Sequence, residues 1–188
     1  ILGALLAKDL TIEDCRPDHL EAVISALQDS GVPVSASGTT ISIKGNTATN
    51  ASFKAIADLR THEYPGFPTD LQPVIVAYLT QTTGESKVFE TIYEGRFKYV
   101  EDLAKLGAAI TVMNPREISI KGPSALRAMP GDSDLTAHDI RAGFAVVVAA
   151  LCASGESTVS NIHLIDRGYE KLESQLSALG AQIKRVVV

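Results

Sequence analysis

One pentapeptide does most to limit what this chain can fold into. Ile41-Ser42-Ile43-Lys44-Gly45 returns unchanged as Ile118-Ser119-Ile120-Lys121-Gly122. Each copy follows an amphipathic run that ends in glycine, and a third such run closes the sequence. The runs are Leu20/Val23/Ile24/Leu27, Val100/Leu103/Leu106 and Leu172/Leu176/Leu179, followed by Gly31, Gly107 and Gly180. Apolar residues at that spacing form one face of a helix, and a glycine just past the last turn supplies the left-handed residue that ends it. Alternating strand-like stretches, Leu10–Asp14, Lys87–Ile92 and Thr158–Ile162, precede the three runs.

Two further segments, Asp70–Gln81 and Asp139–Ala153, are apolar nearly all the way round. A helix with that profile belongs inside a protein. Val74-Ile75-Val76 and Val146-Val147-Val148 also suit buried strands, but segment length and the aspartate at each start favour helix. Each unit then reads buried helix, strand, amphipathic helix, strand, strand, and Ile1–Ala7 matches only the tail of the buried helix. The expected fold is an inside-out α/β barrel of three repeated units with buried central helices, residues 1–188 forming a single domain.

With 188 residues, 17 Lys and Arg against 22 Asp and Glu, and a net charge of −5, the chain lacks the positive surplus of a general nucleic-acid binder. Its longest apolar stretch, Ala142–Ala153, is too short to span a bilayer, and Ile1–Ala7 lacks the basic start of a secretory signal. Cys15 and Cys152 are isolated, and His19, His62, His138 and His163 have no metal-ligand spacing, so neither a metal, a cofactor nor a disulfide is expected. A reducing cytoplasm is the expected compartment.

The repeat also aligns polar residues. Asp70 falls opposite Asp139 and Arg96 opposite Arg167, at intervals that agree to within two residues. Both aspartates stand at the starts of buried helices, where unpaired amides and the positive dipole end lie. If those helices run parallel, both starts open at one mouth, which Arg96, Arg141 and Arg167 can reach. Two carboxylates among three guanidiniums suit a ligand carrying phosphate and carboxylate. The plainer alternatives are helix caps for the aspartates and local ion pairs, Arg96 with Glu94 and Arg167 with Asp166.

At these residues the chain resembles the UDP-N-acetylglucosamine 1-carboxyvinyltransferase family. The resemblance rests on Tyr64-Pro65-Gly66-Phe67-Pro68-Thr69-Asp70-Leu71-Gln72, Phe89–Phe97, Asp139-Ile140-Arg141-Ala142 and Ile165–Glu170, with Arg16-Pro17-Asp18. It implies the second domain of a two-domain transferase of peptidoglycan synthesis, an activity tied to cell wall, cell shape and cell division. The missing first domain carries the catalytic cysteine loop, which neither Cys15 nor Cys152 matches. It further implies that Asp70 takes the proton from the sugar 3-hydroxyl, that the backbone at Ile92 touches the sugar nucleotide and that Arg96 lines the cleft. Asp139 stands near the reacting carbons, and Arg141 and Arg167 hold phosphoenolpyruvate. Alone, the chain is expected to be inactive. The family usually has threonine where this chain has His138. The alternatives are the sibling 3-phosphoshikimate 1-carboxyvinyltransferase, a non-catalytic sugar-nucleotide or protein-binding module, and a two-carboxylate glycoside hydrolase, the last disfavoured by the arginines.

Overall fold

A computed structural model of the chain describes residues 1–45, 53–128 and 135–186. At its centre lie α1 (Leu2–Leu6), α3 (Gln72–Leu79) and α5 (Ile140–Cys152), which pack on one another. Every residue of α3 is buried. The two valine-rich segments are therefore helices. Their bulk fills the space between the units, where a strand would leave ladder groups without partners. Pro73 lies in the first turn of α3, where its missing N–H costs nothing, and Thr69–Leu71 lead in as one turn of 3-10 helix.

The amphipathic runs form α2 (Glu21–Asp29), α4 (Val100–Lys105) and α7 (Leu172–Ala178). Gly31, Gly107 and Gly180 have φ of 91°, 101° and 96°, the left-handed conformation that lets the chain leave a helix sharply.

Among the described residues, three sheets lie around the helices. In the first, β1 (Asp9–Ile12) and β2 (Val34–Ser37) flank β3 (Thr40–Lys44), all antiparallel. The second runs β4 (Asp58–Arg60), β5 (Gly84–Phe89), β7 (Glu117–Gly122), β6 (Ala109–Asn114). The third is the parallel pair β8 (Leu135–Thr136) and β9 (Val159–Ser160). β4 is parallel to β5 and β8 to β9, so α3 and α5 are the crossovers such pairs require. Sequence patterning missed β4 and β8, which are too short for an alternation to register.

The repeated pentapeptide occupies β3 and β7. Ile41, Ile43, Ile118 and Ile120 are buried toward the central helices, while the intervening serines and the lysines turn outward. The closing glycine has a separate reason. A Cβ on Gly45 would stand 2.2 Å from the Ala7 carbonyl oxygen, and one on Gly122 would stand 2.3 Å from that of Thr82. Each glycine therefore lets its strand lie against the carbonyl end of its unit's central helix.

The third unit departs from the expected pattern. Residues 181–186 form no strand, because no hairpin arm among the described residues offers ladder partners. The strand expected over Thr158–Ile162 is cut to two residues. Asn161, at φ 57°, turns the chain into α6 (His163–Asp166).

Candidate functional site

Asp70 sits in the 3-10 turn that opens α3, and Arg141 in the first turn of α5. Arg141 Nη2 donates to Asp70 Oδ2 at 3.1 Å, and Arg96 Nη1 donates to Asp70 Oδ1 at the same distance. The two helix starts therefore lie side by side. Arg96 also donates to the Thr69 carbonyl oxygen, which fixes its head against the start of α3. The Asp70 side chain is 51% exposed and that of Arg96 only 15%, so the carboxylate stands at an open mouth on a largely buried arm.

Burial pushes the Asp70 carboxyl up, but the hydrogen bonds from Arg141 and Arg96, with the charges of both, outweigh it and hold it below its ordinary value. The same bond raises Arg141. At neutral pH the group is a carboxylate with both oxygens occupied.

Asp139 is in extended backbone conformation, and its Oδ1 accepts from the amides of Arg141 at 2.7 Å and Ala142 at 2.8 Å. It is the N-cap of α5, one of the two alternatives left open by the sequence. Asp70 is not a cap, since its side chain accepts no bond from the amides of its own helix. The reason is Pro73 in the first turn, which removes a donor, and two arginines that claim the oxygens.

Neither of the local ion pairs that were the plainer alternatives, Arg96 with Glu94 and Arg167 with Asp166, forms. Glu94 is taken by Arg116 at 2.9 Å and Asp166 by Arg185 at 2.6 Å, which leaves Arg96 for Asp70. Arg167 closes α6, is exposed, and makes no ion pair among the described residues. It still lies close to the mouth, because a Cβ on the adjoining Gly168 would meet Ile140 at 2.7 Å and the Arg141 head at 3.5 Å. Ile92, one residue before Tyr93, is 41% exposed.

Several contacts around the mouth escaped the sequence reading. The Tyr93 ring lies 5.0 Å from the Arg96 guanidinium carbon, a cation–π contact. Tyr169 stacks on Phe144 at 4.4 Å, and its phenol is raised by burial against the opposing effect of the Arg141 charge. His138 Nε2 lies 2.9 Å from Asp102 Oδ2, and Lys105 reaches the other oxygen at 2.8 Å. Asp102 is 1% exposed, so the histidine next to the α5 cap satisfies a buried acid on α4. Only the meeting of Asp102 with a residue as distant in sequence as His138 signals this, and sequence alone does not provide it.

Cys152 is half-buried, and the loss of solvent pushes its thiol up to about 12, far from a thiolate nucleophile. Among the described residues no cluster of three His, Cys, Asp or Glu is placed to hold a metal, and no helix is long and apolar enough to cross a membrane.

The chain as a whole is similar to known proteins. A UDP-N-acetylglucosamine 1-carboxyvinyltransferase of Solibacter usitatus (strain Ellin6076) is 40% identical over 187 residues, spanning 99% of this chain and 42% of the relative. The same-named protein of Koribacter versatilis (strain Ellin345) is 38% identical over 186 residues, 99% of this chain and 41% of its own length. The chain thus spans about two fifths of the curated relatives it matches. Among solved structures, the enolpyruvyl transferase NikO of Streptomyces tendae superposes with a TM-score of 0.84 at 25% identity, over 97% of this chain and 42% of that one. The EPSP synthase of Acinetobacter baumannii superposes at 0.72 over 98% of this chain and 42% of its own, and at 17% identity it shares the fold. A family model described as EPSP synthase (3-phosphoshikimate 1-carboxyvinyltransferase) matches residues 1–176, and the chain belongs to that family.

Proposed function

We propose that this chain is the second domain of a cytoplasmic UDP-N-acetylglucosamine 1-carboxyvinyltransferase of peptidoglycan synthesis. In the reaction the sugar 3-hydroxyl oxygen bonds to C2 of phosphoenolpyruvate while C3 gains a proton. Loss of a C3 proton and of phosphate then restores the double bond on the sugar ether. The observation that carries this reading is Asp70 held between Arg96 and Arg141 where α3 and α5 begin. A base for the hydroxyl and cations for a polyanion thus share one mouth.

In the ligand-free state both oxygens of Asp70 are occupied, which makes it a weak base. An incoming phosphate or carboxylate competes for Arg141 and strengthens the base as the electrophile arrives. Arg167, exposed beside Gly168, is free to complete the anion clamp. Asp139, with Oδ1 committed to the cap, offers Oδ2 toward the positive charge that develops at C2 of the enolpyruvyl group. The first domain supplies the second wall of the cleft and the cysteine loop, so this chain alone binds weakly and does not turn over.

The curated relatives' names favour the UDP-sugar over shikimate 3-phosphate, as does the Tyr64–Gln72 stretch. The test is to co-express the chain with a first domain of the family and measure phosphate release. Release is expected with UDP-N-acetylglucosamine plus phosphoenolpyruvate, and its loss in Asp70→Asn. Release with shikimate 3-phosphate instead, or full activity in Asp70→Asn, overturns the reading.

A further inference from the structure

Glu90 follows β5 directly and is fully buried. Its Oε1 accepts three bonds, from Thr61 Oγ1 at 2.8 Å and from the backbone amides of Ile92 and Tyr93 at 2.9 Å each. Its Oε2 has no partner among the described residues. A buried acid with half its capacity unused is a costly way to fill space, where an apolar side chain of that volume does better. What it holds gives the reason. Ile92 and Tyr93 are exposed, yet their amides are pinned from beneath, and the Tyr93 ring faces Arg96, which in turn reaches Asp70. The segment is tied from a second side by Arg116, which donates to the carbonyls of Glu90 and Thr91.

We propose that Glu90 is a positioning residue for the sugar-nucleotide side of the cleft, setting the Ile92–Tyr93 backbone and, through Tyr93, the approach of Arg96 to Asp70. The assignment to a sugar nucleotide rests on the function proposed above; the mechanical link from Glu90 to Asp70 does not. A ligand that reads backbone groups at Ile92 needs them fixed before it arrives, and three bonds to one buried oxygen fix them.

Two measurements on the chain itself test the link. In the unaltered chain, hydrogen exchange at the Ile92 and Tyr93 amides is at least about tenfold slower than at an unbonded exposed amide, the protection a hydrogen bond to a carboxyl confers. This needs no variant and so survives any failure of one to fold. Carboxyl NMR titration of Asp70 is then compared in Glu90→Gln, Glu90→Leu and Arg96→Met. Glu90→Gln keeps an acceptor oxygen and leaves Asp70 as it was, whereas Glu90→Leu and Arg96→Met both move it upward. Unprotected amides, or an Asp70 titration indifferent to Glu90→Leu while Arg96→Met shifts it, overturn the proposal. In the enzyme completed with a first domain, Glu90→Leu raises KM for UDP-N-acetylglucosamine more than it lowers kcat. Inactivity of the unaltered completed enzyme counts against the proposed function and leaves the two NMR results standing.

Discussion

Replacing Arg141 with glutamine removes one of the two cations on Asp70 and keeps most of the side chain's length. Two unit charges 3.1 Å apart attract by about 1.3 kcal/mol when screened as in bulk water. Both side chains are partly in solvent, 34% for Arg141 and 51% for Asp70, so the measurable loss is about 0.5–1 kcal/mol. In a chain of this size that lowers the melting temperature by about 1–3 °C. The pH dependence carries the stronger inference. Asp70 titrates below its ordinary value of 3.8 in the folded chain. The pair therefore contributes fully above the unfolded carboxyl value, and its contribution disappears as pH falls through the lower folded value. Thermal unfolding of both proteins between pH 7 and pH 2 should show a gap at neutral pH that closes in acid, with the Asp70 carboxyl of the variant titrating higher by NMR. A gap of the same size at both ends of the range would mean that Arg141 acts through packing against Tyr169, and the electrostatic account of the site would be wrong.

Substitutions at two other positions probe the frame. Gly122→Ala drives a Cβ onto the carbonyl oxygens of Thr82, Leu79 and Thr80. Backbone cannot yield cheaply, so a loss near the upper end of about 1–3 kcal/mol is expected in denaturant titration, and an unchanged midpoint would refute the close approach. Asp139→Ala removes the α5 cap and costs about 1 kcal/mol, while Asp139→Asn retains an acceptor and costs a few tenths. Equal losses in the two would show that charge at Asp139, rather than capping, stabilises the helix start.

The repeat made the architecture legible because glycine and apolar spacing are local signals. Gly31, Gly107 and Gly180 mark helix ends regardless of what packs around them. Asp70 and Asp139 were found by alignment of units, yet the alignment implied equal roles, and the structure makes one a cap and the other an arginine-bound carboxylate. That difference comes from Pro73 and from partners distant in sequence. Arg96 was expected to choose between Glu94 and the mouth, and the choice was made by Arg116, a residue with no pattern to single it out. Glu90 and Asp102 stayed hidden for a related reason: a lone acid beside a strand or on an amphipathic helix looks solvated until its buried partners are known.

The glycines that end the two pentapeptides give the body an asymmetric pair of poles. At one, strands β3 and β7 press so tightly on the carbonyl tips of α1 and α3 that not even a methyl group fits between. At the other, α3 and α5 begin side by side with the Asp70 carboxylate and the Arg141 guanidinium paired above them. A small anion diffusing over this surface thus meets close-packed backbone where the pentapeptides end and exposed polar side chains where the helices start. A side chain introduced at Gly45 or Gly122 must first displace backbone, so this end of the body yields to substitution less readily than the mouth does.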